Sequence, residues 1–188
     1  MQKNHEEILN IFFREAELGN WKKVEIENIA EKLNIKESSL RKIVPNKNYF
    51  LDFYNTYVDK EVMANISCDE IKISANYEII QEYFMSKLEI MSKQRFGIIN
   101  ILNASLKDPS FLVINLKSNK NSINKFLTKV NKGRKNISQI VLTKLLLGVW
   151  LLAFNKWLYS ENDKEAGFSI INKGIKTIKD STNLFTKI

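Results

Sequence analysis

The sequence contains one cysteine, one histidine, two prolines and six glycines in 188 residues, and each scarcity excludes something. A lone Cys68 rules out an internal disulfide, so a reducing, cytoplasmic setting is expected and Cys68 receives no role. A lone His5, close to an N-terminus expected to be mobile, leaves no Cys/His spacing for a metal and no histidine-activated nucleophile. There is no Gly-rich phosphate loop and no G-x-S-x-G elbow. The adjacent acids Glu6-Glu7 and Asp69-Glu70 would turn roughly 100° apart on a helix, which makes them surface charge. An enzyme, a metal and a cofactor are therefore not expected. The longest apolar run, Leu145 to Phe154, is ten residues long between Lys144 and Asn155. A spanning helix needs roughly 20, so this run reads as the buried helix of a soluble protein. The N-terminus carries acids and no cleavable apolar stretch, so it does not read as a secretory signal.

What is present is helical. The composition is 44% hydrophobic and 27% charged, which suits a globular chain. With so few breakers, segments run long, and the abundant Leu, Ile, Lys and Glu favour helices over many short strands. The formal net charge of +8 favours an anionic partner, nucleic acid or membrane surface, without choosing between them.

The first helix is expected from Lys3 to Leu18, with Ile8, Ile11, Phe12 and Glu15 on successive turns and Gly19-Asn20 ending it. Ile26, Ile29, Ala30 and Leu33 predict a short second helix over Glu25–Leu33. Asn34 tolerates the left-handed conformation and marks a turn. A third helix is expected over Lys36–Val44, stopped by Pro45, and a fourth opens near Asn46 with Tyr49, Phe50, Phe53, Tyr54 and Tyr57 on a broad face. Two short helices around a tight turn meet the requirement of a helix-turn-helix. From Lys32 to Phe50 five basic residues stand against the single acid Glu37. In such a motif Lys36, Arg41, Lys42 and Lys47 are placed to neutralise phosphates, and Ser38 and Ser39 to reach phosphates or base edges. A helical hairpin on any basic protein has the same look. Residues 1–50 carry nine basic and eight acidic groups, so the pattern by itself leaves both readings open.

The stretch WKKVEIENIAEKLNIKESSLRKIVPNKNYFLDFY, Trp21 to Tyr54, resembles the N-terminal signature of the tetracycline-repressor (TetR) family of transcriptional regulators. Ile29-Ala30 match its "IA", Asn34-Ile35-Lys36 stand at its "G-V-S" turn, Leu40-Arg41 at its "L-Y", and Val44-Pro45-Asn46-Lys47 before its fourth helix. Four positions depart from the family pattern. Asn34 replaces the turn glycine, Glu25 the capping hydroxyl, Arg41 the tyrosine and Val44 the aromatic before the proline. The resemblance implies an all-α fold of about nine helices, a homodimer and an inducer pocket in the C-terminal part. The remainder is similar to a branch related to ubiquinone-biosynthesis accessory proteins, whose members share the fold and bind lipid. That likeness rests on FYNTYVDKEVMANI, on YEIIQEYFMSKLEIMSKQR with LKDPSF, and on LLGVWLLAFNKWLYSENDKEAGFSIINKGI.

These readings give a helix-turn-helix domain over residues 1–48 and a helical ligand-binding and dimerisation domain over 49–188. The expected function is a DNA-binding regulator, a repressor modulated by a small hydrophobic ligand, and the alternative is a lipid-binding accessory protein that no longer binds DNA. In the second domain Tyr77, Ile80, Phe84, Leu88 and Met91 follow helical spacing. Phe84, Leu88, Met91, Trp150 and Phe154 are the candidate pocket residues, although such a stripe is more often plain core. Residues 107–136 hold eight basic groups and one acid, with Ile123, Phe126, Leu127 and Val130 as an apolar stripe beside Lys125, Lys129 and Lys132. A solvated face is the expected reading there, and a membrane surface is not the expected partner. Ile140 to Tyr159 is apolar nearly all round, and so needs cover on several sides. The last helix, Lys164 to Phe185, carries Phe168, Ile171, Ile175 and Ile178, with Gly167 and Gly174 allowing close approach. Leu147 and Leu151 together with those four residues form the candidate two-fold interface, a reading that leans on the resemblance.

Overall fold

A computed structural model of the chain describes residues 2–66, 76–130, 137–160 and 163–181. Cys68, Asp69, Glu70, Lys132 and Phe185 lie outside the described residues. Nine α-helices and no strand occur among them, so the chain is all-α. They are α1 (Gln2–Glu17), α2 (Ile26–Lys32), α3 (Glu37–Arg41), α4 (Phe50–Asn65), α5 (Asn76–Ser92), α6 (Arg95–Ser105), α7 (Pro109–Val130), α8 (Ile137–Tyr159) and α9 (Asp163–Ser181). Two 3-10 turns, Trp21–Lys23 and Lys47–Tyr49, precede α2 and α4.

Local chemistry sets the helix ends. Gly19 adopts φ 75°, and the N–H groups of Gly19 and Asn20 return to the carbonyls of Ala16 and Glu15. This pairing closes a helix on a left-handed residue. The same device ends α2 on a non-glycine: Asn34 has φ 54°, with Asn34 N–H donating to Glu31 and Ile35 N–H to Ala30. Helix α3 is shorter than the expected 36–44. It ends at Arg41, and Ile43 and Val44 both turn their N–H groups back to Leu40 before Pro45. At α7 the Asp108 carboxylate accepts from the Ser110 and Phe111 N–H groups and Pro109 is the first helical residue, a well-formed start.

The helices gather into two compact units, each discontinuous in sequence. The first comprises residues 1–56 and 94–118, the second 57–93 and 119–188. The first unit therefore extends beyond residues 1–48, because α1 is covered by α6. Gly97 lies against the Phe13 ring, Asn100 donates to the Ala16 carbonyl, and the Trp21 indole N–H donates to Ser105 at 3.0 Å. Its core is aromatic: Phe12 stacks on Phe50, and Phe13 meets both Phe50 and Tyr54 edge-on. His5 is held in α1 with its ring edge-on to Phe53. In the second unit Tyr83 stacks on Phe126 at 4.0 Å and Phe84 on Trp150 at 5.4 Å.

Candidate nucleic-acid interface

Helices α2 and α3 are joined by the four residues Leu33–Lys36, whose geometry Asn34 makes possible. Ile26, Ile29, Ala30, Leu40 and Val44 are buried and seat the pair on the first unit. With one side so fixed, the other side of α3 is turned outward. Lys36, Ser38, Ser39, Arg41 and Lys42 are all exposed, and Lys47 is half-buried.

The charges on this face are not equivalent. Arg41 donates through Nε to Glu37 and through its terminal nitrogen to the Pro45 carbonyl at 2.9 Å. Lys47 Nζ donates to the Lys22 carbonyl at 2.8 Å. Lys32 is paired with Glu15, whose carboxyl this contact holds below the usual carboxylate range. Lys36 and Lys42 have no such ionic partner among the described residues. The Lys47 contact also brings the Trp21–Lys23 turn to the α3–α4 connection, so the exposed Lys22 and Lys23 join the set. Sequence reading passes over these two, because only the fold places them beside a residue 25 positions away.

Beneath this face Asn48 ties the turn before α4 to the start of α7. Its amide donates to Asp108 Oδ2 at 2.7 Å and to Ser110 Oγ at 2.9 Å. Hydrogen bonds from the Ser110 hydroxyl and the Asn48 amide, and from backbone N–H groups, hold the Asp108 carboxyl below its ordinary value. A hollow of about 240 Å³ between Val24–Ile26, Arg41, Asn46–Asn48 and Asp108 lies within the same unit.

In the second unit the expected pocket is filled by its own residues. Phe84, Leu88, Met91 and Trp150 are buried and Phe154 is half-buried. Phe84 stacks on Trp150, and Phe154 packs between Trp150 and Trp157. These rings meet one another directly and are core. The candidate interface divides: Ile171, Ile175 and Ile178 are buried within the chain, where α9 packs on α8 and α5, and are withdrawn as partner contacts. Phe168 and Leu147 are half-buried, and Leu151 is exposed. The stripe Ile123, Phe126, Leu127 and Val130 is also core, so it is not a membrane face.

Helix α8 is covered on fewer sides than its composition suggests. Leu142, Leu146, Trp150, Ala153 and Trp157 are buried, while Val141, Leu145, Leu151, Leu152 and Tyr159 are exposed on the other side. Residues 139–159 are long and apolar enough, by length and composition only, to cross a membrane, a test that core helices of soluble proteins also pass.

A polar cluster that sequence reading missed lies inside the second unit. Lys87 Nζ, 1% exposed as a residue, donates to Asp59 Oδ1 at 2.6 Å and Ser122 Oγ at 2.8 Å. Tyr83 OH donates to Asp59 at 2.8 Å and lies 2.6 Å from Ser122. Burial lowers the Lys87 pKa against the pull of Asp59, and burial with the Asp59 charge raises that of Tyr83 well above its ordinary value. Perturbed groups of this kind occur at functional sites and in structural ion-pair networks alike. Here they are enclosed by aromatic rings, with Lys87 5.3 Å from the Trp150 centroid. Among the described residues no group of three or more His, Cys, Asp or Glu side chains gathers to hold a metal.

The sequence matches no protein-family model, and no curated protein emerges as a relative.

Proposed function

We propose that the chain is a cytoplasmic, non-enzymatic DNA-binding transcriptional regulator, acting as a repressor of the TetR type. The observation that carries this reading is the α2–turn–α3 pair, which turns Lys36, Ser38, Ser39, Arg41 and Lys42 outward from a buried Leu40–Val44 anchor. A short helix so mounted presents its first turn to a major groove, with serines near bases and lysines near phosphates. Lys22 and Lys23 add backbone contacts of the sequence-independent kind. The regulating partner in this reading is a small hydrophobic ligand acting on the second unit.

The test is a titration with genomic fragments at two salt concentrations. One fragment should bind preferentially and weaken as salt rises, because phosphate contacts release counterions. Lys36→Ala and Lys42→Ala should each reduce the salt slope by about one unit. Ser39→Ala should change which sequence is preferred and leave that slope alone. Arg41→Ala should have a smaller slope effect, because its guanidinium is held by Glu37 and Pro45. Absence of binding at low salt, or binding indifferent to salt, sinks the proposal. A second reading draws support from the internal engagement of Arg41 and Lys47. It is a lipid-binding accessory protein of ubiquinone biosynthesis that keeps the fold without reading DNA, and failure of every fragment to bind is its expected result.

A further inference from the structure

Helix α7 presents an outward face distinct from the stripe it buries. Leu112, Val113 and Leu116 are 44%, 64% and 49% exposed on its first two turns. Lys117 and Lys120 follow on the same face at helical spacing of three and four, both exposed. Leu106 and Lys107, just before the helix, are exposed as well. The whole of α7 contains four lysines and no acid. The helix starts at a fixed point, because Asp108 caps it and is itself held by Asn48 and Ser110.

We infer that this face docks on an anionic lipid bilayer, with Leu112, Val113 and Leu116 entering the headgroup–acyl boundary and Lys117 and Lys120 at the lipid phosphates. Three features favour this occupant. Exposed leucines gain by leaving water, which a phosphate backbone of nucleic acid does not offer. A second copy of the same face supplies no carboxylate for Lys117 and Lys120, since α7 has none. An anionic bilayer supplies both an apolar layer and a sheet of negative charge at the depth separation that this face requires. The inference does not rest on DNA reading.

The experiment is co-sedimentation of the full chain with vesicles of phosphatidylcholine containing phosphatidylglycerol, and with vesicles of phosphatidylcholine alone. The protein should pellet with the former and lose that affinity in high salt. The triple variant Leu112→Gln/Val113→Gln/Leu116→Gln should lose binding with helical circular dichroism unchanged, because the three side chains are exposed. Lys117→Ala/Lys120→Ala should weaken binding roughly thirtyfold, each lysine near an anionic surface counting for about fivefold. Phe96→Gln, at a 76% exposed position of α6, should pellet as the unaltered chain does. DNA titration of the α7 variants should be unchanged, so that the two failures are told apart. The inference is overturned if the chain does not pellet, if the α7 triple variant pellets fully, or if the Phe96 variant abolishes binding instead. Binding of this face to an acidic partner protein, with no affinity for vesicles, overturns it too.

Discussion

Lys87 illustrates what one buried charge demands of its neighbours. A carboxylate only accepts, so Tyr83 must give its single proton to Asp59, and Ser122 then donates to the Tyr83 oxygen while accepting from Lys87. Each donor has a use, and removing one member leaves another unsatisfied. Asp59→Ala leaves an ammonium without its counter-ion, which should destabilise the fold by about 3–5 kcal/mol near neutral pH. Urea unfolding measures this, and a midpoint within error of the unaltered chain would refute it. The cluster also fixes the sign of an alkaline pH effect. The Tyr83 pKa is raised by burial first and Asp59 second, so its contribution is complete below the unfolded value of about 10 and is lost as pH rises beyond it. Lys87 acts the other way. With its folded pKa lowered by burial, the unfolded chain binds more protons in the window below about 10.4, and stability rises with pH there. Tyr83→Phe should therefore flatten the decline above pH 10 while lowering stability below pH 10 by about 1–2 kcal/mol for its lost hydrogen bonds. An unchanged alkaline slope would exclude Tyr83 as its source.

Among the elements, α9 depends most on what is missing from its side chains. A methyl group at Gly174 would come within 2.7 and 2.8 Å of the two Val149 methyl carbons, and one at Gly167 within 2.7 Å of Leu88 Cδ1 and 3.1 Å of Trp157 Cβ. Val149 is β-branched and has few rotamers to retreat into. Gly174→Ala should therefore destabilise by about 1–2 kcal/mol: overpacking of about 1–3 kcal/mol exceeds the helix-propensity gain of up to about 1. A raised thermal midpoint for this variant would show that α8 and α9 have room to part. The close approach is legible in the sequence, since two glycines seven apart on an apolar stripe have few other uses. The turn at Asn34 is legible too, because few residues accept positive φ and the backbone needs one there. Which side of α8 is covered is not legible. Nearly every residue of 145–154 is apolar, and a pattern without contrast carries no phase. The Ile171, Ile175 and Ile178 stripe is ambiguous for a related reason, since an internal neighbour and a partner subunit require the same spacing. The Lys87 cluster is invisible because its members converge from three helices, 28 and 35 positions apart.

For the molecule as a whole, pairing of two copies is better served by α8 than by α9. The outward side of α9 carries Asn172, Lys173, Lys176 and Lys179, three lysines that leave little to bury between copies. On α8, by contrast, Val141, Leu145, Leu151, Leu152 and Tyr159 lie on one side of the helix around Gly148, which has open space above it. A pairing of two copies through this stripe, α8 crossing α8 near Gly148, covers apolar side chains already about half buried, worth about 1 kcal/mol each. The four-helix arrangement expected from both C-terminal helices would instead set α9 lysines against each other. Sedimentation at tens of micromolar should give a dimer, and Leu152→Glu should give a monomer of unchanged helix content. Leu152 is 65% exposed, so the substitution breaks nothing inside the chain. Gly148→Ala tests the geometry more finely. In a monomer it should only stabilise, by up to about 1 kcal/mol, because alanine is the better helix former and nothing lies within 4 Å of the added carbon. In a dimer crossing at Gly148 the same methyl group stands between the two backbones, so association should weaken while the thermal midpoint of the separated chain rises. A monomer at every concentration, or a Gly148→Ala variant that associates as tightly as the unaltered chain, would place the contact elsewhere.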